Sequence, residues 1–303
     1  MKKSLLVVLL VAVLAVSAVA VNAKEYKIAL VTMDQVDQHW VNMNKGAQDE
    51  AKAKGVTVDF MAPNTKDDAL QIEAVNNAVA GKYDAIMLAA NSPDAINGAI
   101  KEAQAAGIKI VYVDSPASLP AEATFSTDNK AAGKTAGEEM IKALTAKNVT
   151  EGKIGIVNVN ASTTSTVDRE AGFREAFKDT KFEILETQYG EGDAAKSQTI
   201  AENYITEGVV GIFGTNEGST TGTGNAIKAA KSDIIGIGFD KSDAIKNLIT
   251  DGYLVATMAQ NPDVMGKMGV DACVDALDGK DLGGKVTDTG VSVLTKDVLA
   301  QAK

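Results

Sequence analysis

Short β-rich segments alternate with amphipathic helical segments over most of the chain, and this alternation limits the possible folds more than any other feature. In the first half, YKIALVTM (26–33) and YDAIMLAA (83–90) are typical of strands. In the second half, strands are predicted at GKIGIVNV, FEILETQY, VVGIFGT, DIIGIGFD and YLVATMAQ. Strands that alternate with helices of this length indicate βαβ units. Their continuously apolar cores indicate helices on both faces. We therefore predict an α/β protein with parallel sheets.

Two helix boundaries are marked by the residues themselves. The helix that begins in HWVNMNKGAQDEAKAKG is predicted to end at Gly55, since glycine adopts the left-handed conformation that closes helices. The segment SPDAINGAIKEAQAAG places Ser92 as an N-cap with Pro93 at the first helical position. We therefore predict a helix that starts at Pro93.

The first 23 residues have the pattern of a cleaved secretory signal. Lys2 and Lys3 precede the apolar run 5–16, and VNA at 21–23 offers small residues around a polar one. A membrane anchor is the alternative, but the strongly apolar core of the uncharged run 4–23 is short for a span, which needs ~20 strongly apolar residues. The residue directly after the cleavage site is not a cysteine, so no lipid can be attached there. We predict a soluble periplasmic protein that loses residues 1–23.

Charge and cysteine content exclude several classes of protein. Removal of the signal takes two of the 30 Lys and Arg residues, so 28 basic against 40 acidic residues leave a net charge of −12. Such a balance argues against nucleic acid as a partner. The single Cys273 cannot form an internal disulfide and is predicted to be a small buried hydrophobe. With one histidine and one cysteine, neither a metal site nor a cofactor is expected.

The mature chain of about 280 residues is longer than one hydrophobic core usually serves, so two lobes are predicted. No Pro/Ser-rich linker separates them. This absence favours lobes joined by several short crossings, for which FSTDN around Thr127 and AQNPD around Asn261 are the candidates.

Polar side chains follow the predicted strands in both halves of the chain. They are Asp37, His39, Trp40, Asn91, Ser92, Asp114, Ser115, Asp168, Arg169, Asn216, Glu217, Asp240 and Gln260. Any single Asp or Asn at such a place is usually a helix cap. Together they indicate the crevice beyond the carboxyl ends of parallel strands, where ligands bind.

The chemistry of these residues suits a neutral ligand with hydroxyl groups. Short acidic and amide side chains accept from and donate to adjacent hydroxyls. Trp40 either offers a ring face to a sugar or simply fills the core, and both interpretations stay open. His39 is expected to be a hydrogen-bonding wall residue.

Motifs of the common enzyme classes are missing from the sequence. TGTGNAIKAA imitates a dinucleotide-binding loop, but Ile227 replaces the third glycine and the run falls inside a predicted helix. The sequence also has no GxSxG motif, which carries the nucleophilic serine of many hydrolases. We predict that the chain is not an enzyme.

In this order, several segments of the chain resemble the ribose/galactose branch of the type I periplasmic sugar-binding proteins, the solute receptors of bacterial ABC transporters. The segments are GAQDEAKAKG, DAIMLAANSPDAINGAIKEAQAAGIKIVYVDS, TDNKAAGKTAGE, REAGFREAF, IFGTNEGSTTG, GIGFD and VATMAQNPDVMG. The resemblance implies two Rossmann-like lobes joined by three hinge strands that close on a sugar. The first lobe would comprise 24–127 and 261–284, and the second 128–260 and 285–303.

The resemblance also implies roles for single residues. The family's ring-stacking position falls on Trp40, with His39 beside it, and Asp37 falls where ribose receptors keep an asparagine. Hydroxyl-binding residues of the family fall on Asp114, Asn216, Asp240 and Gln260.

Two departures from the family pattern put ribose itself in doubt. Ribose receptors have an arginine where this chain has Ser115, and a second pocket arginine falls on Val167 by simple register, beside Asp168 and Arg169. Loss of both guanidinium groups would remove bidentate donors to sugar oxygens. Another pentose, a hexose, a sugar alcohol or an autoinducer-2-type furanosyl signal is therefore expected, and TQYGEGDAAKS looks like a stretch shared with receptors for that signal.

The predicted function is the capture of a small neutral monosaccharide or polyol between two lobes and its delivery to a membrane permease. A receptor for a furanosyl signal, or a sugar sensor that contacts a chemoreceptor, is the alternative.

Overall fold

The structure is a computed structural model that describes residues 25–301, so the predicted signal lies outside the described residues. The strands are β1 Lys27–Val31, β2 Thr57–Phe60, β3 Ala85–Leu88, β4 Lys109–Val113, β5 Ala123–Ser126, β6 Glu151–Asn158, β7 Lys181–Ile184, β8 Gln188–Tyr189, β9 Gly211–Gly214, β10 Ile235–Phe239, β11 Ala256–Gln260, β12 Lys285–Asp288 and β13 Val291–Thr295. The helices are α1 Gln38–Lys54, α2 Asp68–Ala80, α3 Asn97–Ala105, α4 Asn129–Ala146, α5 Thr164–Phe177, α6 Ala194–Thr206, α7 Glu217–Ala230, α8 Asp243–Asp251, α9 Pro262–Leu277 and α10 Lys296–Gln301. Over 25–301, no helix combines the length and apolar character needed to cross a membrane.

The strands form two sheets, and the predicted α/β class is confirmed. The first sheet has the order β12-β5-β4-β3-β1-β2 and is parallel throughout. The second has the order β13-β11-β10-β9-β6-β7, with β8 also paired to β6 and with β13 antiparallel to β11. Each sheet is covered by helices on both faces, as a parallel sheet requires.

Alternate residues of the central strands supply the cores on the two faces of each sheet. In β1, Ile28 packs into one apolar cluster and Ala29 into the cluster on the opposite face. In β6, Ile156 packs into an apolar cluster on one face of the second sheet and Val157 into the cluster on the opposite face. Cys273, on α9, is fully buried in the same cluster as Ile28, which confirms the prediction that it is a small buried hydrophobe. Burial raises the pKa of its thiol.

The chain passes between the sheets at three adjacent places. It leaves the first sheet after β5, returns after β11, and passes over again between β12 and β13. The Thr289 N–H donates to the Ser126 carbonyl at 2.7 Å, and the Asn261 side chain donates to the Thr289 carbonyl at 2.9 Å. These hydrogen bonds tie the three crossings together.

The structure corrects two predicted boundaries. Residues 285–303 were assigned to the second lobe, but Lys285–Asp288 pair with Ala123–Ser126 in the first sheet. The helix predicted from Pro93 begins only at Asn97. The Ser92 hydroxyl does accept from the Ala95 N–H at 3.3 Å, but it closes a turn rather than an α-helix.

Glycines allow a close contact between α4 and α5, beside the second sheet. A Cβ on Gly172 would lie 1.9 Å from the Lys130 carbonyl oxygen, whereas a Cβ on Gly98, in α3, would meet no atom within 4 Å. We therefore expect Gly172→Ala to lower the free energy of unfolding by about 1–3 kcal/mol through overpacking. Gly98→Ala is the control and should raise it by up to about 1 kcal/mol. Urea unfolding of both variants checks this, and equal effects would contradict the close contact.

Candidate ligand-binding cleft

The carboxyl ends of the two sheets face each other across a cleft whose walls touch. A small cavity of about 20 Å³ lies between them. It is lined by Met33, Asp37, His39, Trp40, Lys66, Asp114, Val159, Ser165, Thr166, Arg169, Asn216, Asp240 and Gln260. This volume suffices for about one water molecule. A larger ligand therefore requires that the walls separate or that their side chains turn aside.

His39 joins the two sides of the cleft. Its Nε2 lies 3.1 Å from Asp114 Oδ1, which belongs to the first sheet's side, and its Nδ1 lies 3.2 Å from Asp240 Oδ1, on the second. All three side chains are almost completely buried. An imidazole with a carboxylate at each nitrogen is expected to be the doubly protonated cation, since both nitrogens then donate.

The pKa values of His39 and Asp240 follow from burial and from their mutual attraction. Burial disfavours the charged form of His39, but the charge of Asp240 and the hydrogen bonds to both carboxylates outweigh it and raise the His39 pKa to about 10. For Asp240, burial is likewise outweighed by the neighbouring cation, and its pKa falls to about 2. At neutral pH the cleft therefore holds a charged carboxylate–imidazolium–carboxylate bridge.

Asp114 and Asp240 occupy equivalent positions in the two halves. Each directly follows a strand, β4 or β10, and each has a positive φ, 63° and 75° respectively. The left-handed region is costly for a residue with a Cβ and is maintained by surrounding contacts. Here the Asp114 N–H donates to the Phe125 carbonyl at 2.8 Å, and the Asp240 N–H donates to the Met258 carbonyl at 2.9 Å. The turn aims both carboxylates into the cleft.

Arg169 places a guanidinium group in the cavity, so the expected loss of both family arginines is wrong for one of them. Its Nε donates to the Asn129 side chain at 2.8 Å, and its Nη1 donates to the Thr215 carbonyl at 2.9 Å. Its Nη2 is buried, has no hydrogen-bond partner within residues 25–301, and lies 4.0 Å from Asp114 Oδ1. Burial lowers the guanidinium pKa, against the attraction of Asp114 and Asp240. The Nη2 group is a donor available to a ligand.

The helical geometry of α5 explains why simple register pointed to the wrong residue. The sequence places Asp168 and Arg169 near the end of a polar loop, but the helix already begins at Thr164. Consecutive helical residues point about 100° apart. Arg169 therefore faces the cavity, while Val167 is 38% exposed and Asp168 lies in an outer groove with Asp128 and Lys130. Asp168 was predicted to bind the ligand, and the structure does not bring it to the cleft.

Trp40 contacts both the core and the cavity. Its side chain belongs to an apolar cluster of the first sheet and also lines the cleft. The indole Nε1 donates to Asp34 Oδ2 at 3.2 Å, and the ring lies edge-on to His39 with centroids 4.6 Å apart. Both interpretations of Trp40, as a platform for a ring and as core, therefore remain open.

A buried lysine, Lys66, forms ion pairs with two carboxylates at one end of the cavity. Lys66 Nζ donates to Asp37 Oδ2 at 2.8 Å and also to Asp34 Oδ2. Burial and repulsion by Asp34 raise the Asp37 pKa to about 6, in spite of Lys66. Asp37 was predicted here, whereas Lys66 and Asp34 were missed. They follow β2 and β1, so a complete list of strand ends includes them.

Gln260 and Asn216 complete the predicted wall. Gln260 Nε2 donates to Asp240 Oδ1 at 2.7 Å, and its Oε1 accepts from the Thr127 hydroxyl at 2.8 Å. Asn216 lines the cavity, but its Oδ1 also accepts from the Ser219 N–H at 3.0 Å. It is thus the N-cap of α7, as a lone Asn after a strand usually is.

Two further predicted residues lie beside the cavity rather than in its wall. The Asn91 carbonyl accepts from the Thr163 hydroxyl at 2.6 Å, and the Ser115 hydroxyl lies 3.5 Å from the Ser165 N–H. Both contacts join the first sheet's side to the second. Glu217, a predicted strand-end residue to which no ligand-binding role was assigned, makes a third such contact.

A cleft between two α/β units, lined by buried polar side chains from both, defines a two-lobed ligand-binding protein. A sequence profile of the family described as periplasmic binding protein domain matches residues 28–281. The chain belongs to this family, and the resemblance to the type I periplasmic sugar-binding proteins is confirmed. Members of the family bind substrates without converting them, so the prediction that the chain is not an enzyme is confirmed as well.

Similar proteins cover nearly all of the chain. The ribose import binding protein RbsB of Escherichia coli is 29% identical over 92% of this chain and 94% of its own length. A solute-binding protein of an ABC transporter from Agrobacterium vitis, solved with bound D-fucose, is 35% identical, with a TM-score of 0.84 over 89% of this chain and 96% of that one. A carbohydrate transporter solute-binding protein from Agrobacterium radiobacter, solved with D-arabinose, is 27% identical, with a TM-score of 0.87 over 92% and 97%.

Proposed function

We propose that this protein captures a small neutral monosaccharide or related polyol between its two lobes and presents it to the membrane permease of an ABC transporter. One observation carries the proposal. His39, Asp114 and Asp240 bring charged hydrogen-bonding groups from both sides of the cleft to one buried point. Such groups give a neutral polyol many hydrogen-bond partners, and a neutral ligand brings no charge that would be buried without a partner.

Opening of the cleft about the three crossings gives the ligand access. We assign 25–127 and 261–288 to the first lobe, and 128–260 and 289–301 to the second. Because ligand contacts from both lobes exist together only when the cleft is shut, the ligand stabilises the closed form. The cavity of about 20 Å³ supports this mechanism, since a sugar enters only when the walls part.

The ligand-binding residues are assigned from the cavity wall. Asp114, Asp240 and Gln260 accept from and donate to sugar hydroxyls, and Arg169 Nη2 supplies a further donor. Sugars bound by similar proteins include D-fucose and D-arabinose, and one curated relative is named for D-allose. We therefore propose a pentose or hexose, and a furanosyl signal is the alternative.

A panel titration tests the function. Trp40, the only tryptophan, lies at the cavity, so its fluorescence should change saturably with the right ligand. The panel contains D-ribose, D-allose, D-arabinose, D-fucose, sugar alcohols and a furanosyl signal, and calorimetry confirms each hit. Binding of none of them would contradict the proposal.

Two variants of Trp40 separate the ring platform from core filler. If Trp40 stacks on the sugar, Trp40→Leu keeps the apolar packing but weakens calorimetric affinity by about tenfold, whereas Trp40→Phe keeps a ring face and most of the affinity. Equal affinities for both variants would assign Trp40 to the core.

The periplasm is the proposed location, because the family is periplasmic and the sequence predicts a signal at 1–23. Whether the bound sugar serves transport or sensing depends on whether this protein docks on a permease or on a sensor. Growth of a deletion strain on the sugar identified by the panel tests the transport role.

A further inference from the structure

Glu217 reaches across the cleft to the start of α1. Its side chain extends from the first turn of α7, on the second lobe. Oε1 accepts from the Gln38 N–H and Oε2 accepts from the His39 N–H, each at 2.9 Å. Both carboxylate oxygens therefore bind backbone donors of the other lobe.

These two N–H groups lack a cap from their own helix. Asp37 stands at the N-cap position of α1, but its side chain makes no capping hydrogen bond and binds Lys66 instead. The first N–H groups of a helix have no intrahelical partner and need an acceptor from elsewhere. A negative charge at this end is also favoured by the helix dipole. Glu217 meets both needs from the opposite lobe.

The capped residues lead directly into the cavity wall. The backbone N–H of His39 donates to Glu217, and the imidazole of the same residue lies between Asp114 and Asp240. Trp40, the next residue, lines the cavity. Fixing the backbone at Gln38 and His39 thus fixes where these rings point. We propose that Glu217 is a positioning residue for the ligand site, which caps α1 across the cleft and holds His39 and Trp40 in place only when the lobes are shut. This inference rests on the proposed closure of the lobes on a ligand.

The charge of Glu217 offers a site-specific signal. Burial and repulsion by Asp37 and Asp240 raise its pKa to about 7, although the two backbone N–H groups oppose this. The charged and titratable groups that face it from the surrounding elements are Asp34, Asp37, His39, Lys66, Glu191, Asp193, Asp240, Lys241 and Asp243. Of these, Asp37 has a pKa of about 6, and His39 one of about 10. A transition near pH 7 that Glu217→Gln removes is therefore assigned to Glu217, whereas one that persists in the variant belongs to Asp37.

Amide NMR on the full mature chain tests the contact. The Gln38 and His39 amide protons of the ¹⁵N-labelled protein are followed from pH 5 to pH 9, with and without a mixture of D-ribose, D-allose, D-arabinose and D-fucose. We expect both resonances to move with a shared midpoint near 7, in at least one of the two conditions. In Glu217→Gln, which preserves size, this midpoint should vanish, and both amides should exchange with solvent at least about tenfold faster.

The matched control is Asp243→Asn. Asp243 lines the same mouth of the cleft, but its side chain is 90% exposed and pairs with Lys246 of its own helix. It should leave the midpoint, the exchange rates and the affinity for any sugar that binds unchanged, whereas Glu217→Gln should weaken that affinity about tenfold or more. The proposal would be overturned if the two amides titrated in Glu217→Gln as they do in the wild type. It would also be overturned if neither amide of the wild type responded to pH in either condition. Failure of all sugars to bind counts against the proposed function and leaves the sugar-free titration as a test of the contact.

Discussion

Replacing Asp240 by alanine is expected to lower the free energy of unfolding by about 3–5 kcal/mol, as for other broken buried ion pairs. Asp240 accepts from His39 at 3.2 Å and from Gln260 at 2.7 Å, with only 6% of its side chain exposed. Its removal leaves a buried imidazolium with one carboxylate fewer and an amide donor without its acceptor. The variant should also lose all measurable sugar binding, because one lobe's contribution to the bridge is gone.

Urea unfolding followed by Trp40 fluorescence measures the effect, with Asp243→Ala as the control. Asp243 is three residues away and exposed, so its replacement should change stability by less than about 0.5 kcal/mol. Asp240→Asn separates charge from backbone conformation, because asparagine tolerates the positive φ of 75° better than alanine does. It should recover part of the stability and none of the sugar binding. A loss below about 1 kcal/mol in Asp240→Ala would show that the bridge contributes little.

The second large effect is a loss of stability at alkaline pH that depends on His39. Its pKa in the folded protein is about 10, against an ordinary value of 6.5, so the folded state binds this proton more tightly than the unfolded state. The stabilisation is therefore complete below pH 6.5 and is lost as the pH rises through 10. Since one unit of pKa corresponds to about 1.4 kcal/mol, the loss should amount to a few kcal/mol.

Unfolding free energies measured between pH 6 and pH 10 test this, with His39→Asn as the comparison. Glu217 and Asp37 also have raised pKa values, about 7 and 6, and their contributions are lost in the same direction but at lower pH. Between pH 8 and pH 10 the raised pKa of the buried Cys273 thiol also lowers stability as the pH rises, but equally in both proteins, so the difference between wild type and His39→Asn reports His39. Wild type should lose stability there, and the difference between wild type and His39→Asn should shrink with pH. Parallel curves for the two proteins would show that the imidazole is neutral in the fold.

Local signals in the sequence predicted the regular elements well and the sheet edges poorly. Gly55 closes α1 with a φ of 69°, as predicted, because a left-handed C-terminal residue is a local requirement. Ser92 and Pro93 gave an equally local signal, but the chain there forms a turn. The edge strands β12 and β13 were not predicted. Their half-exposed side chains lack the apolar run that marks a strand covered on both faces.

The candidate site was predicted in outline for a similar reason. Asp114, Asp240 and Gln260 were found because each ends a strand of a parallel sheet, and such ends converge in any fold of this class. Arg169 was ranked beside Asp168 as though both faced the ligand, since a loop assignment gives no direction to either side chain. Glu217 was noted at the end of a strand but was given no role, because its partners are backbone N–H groups about 180 residues away in the sequence.

The sequence by itself determined the α/β class, the family and the ends of strands at which polar groups gather, because these depend on periodicity and on the order of short segments. Only the tertiary structure decided which of those groups meet. Three contacts join residues that are distant along the chain. They are the bridge from His39 to Asp114 and Asp240, the approach of Arg169 to Asp114, and the hydrogen bonds from the start of α1 to Glu217. These contacts follow from how two sheets face each other, and no local pattern encodes that arrangement.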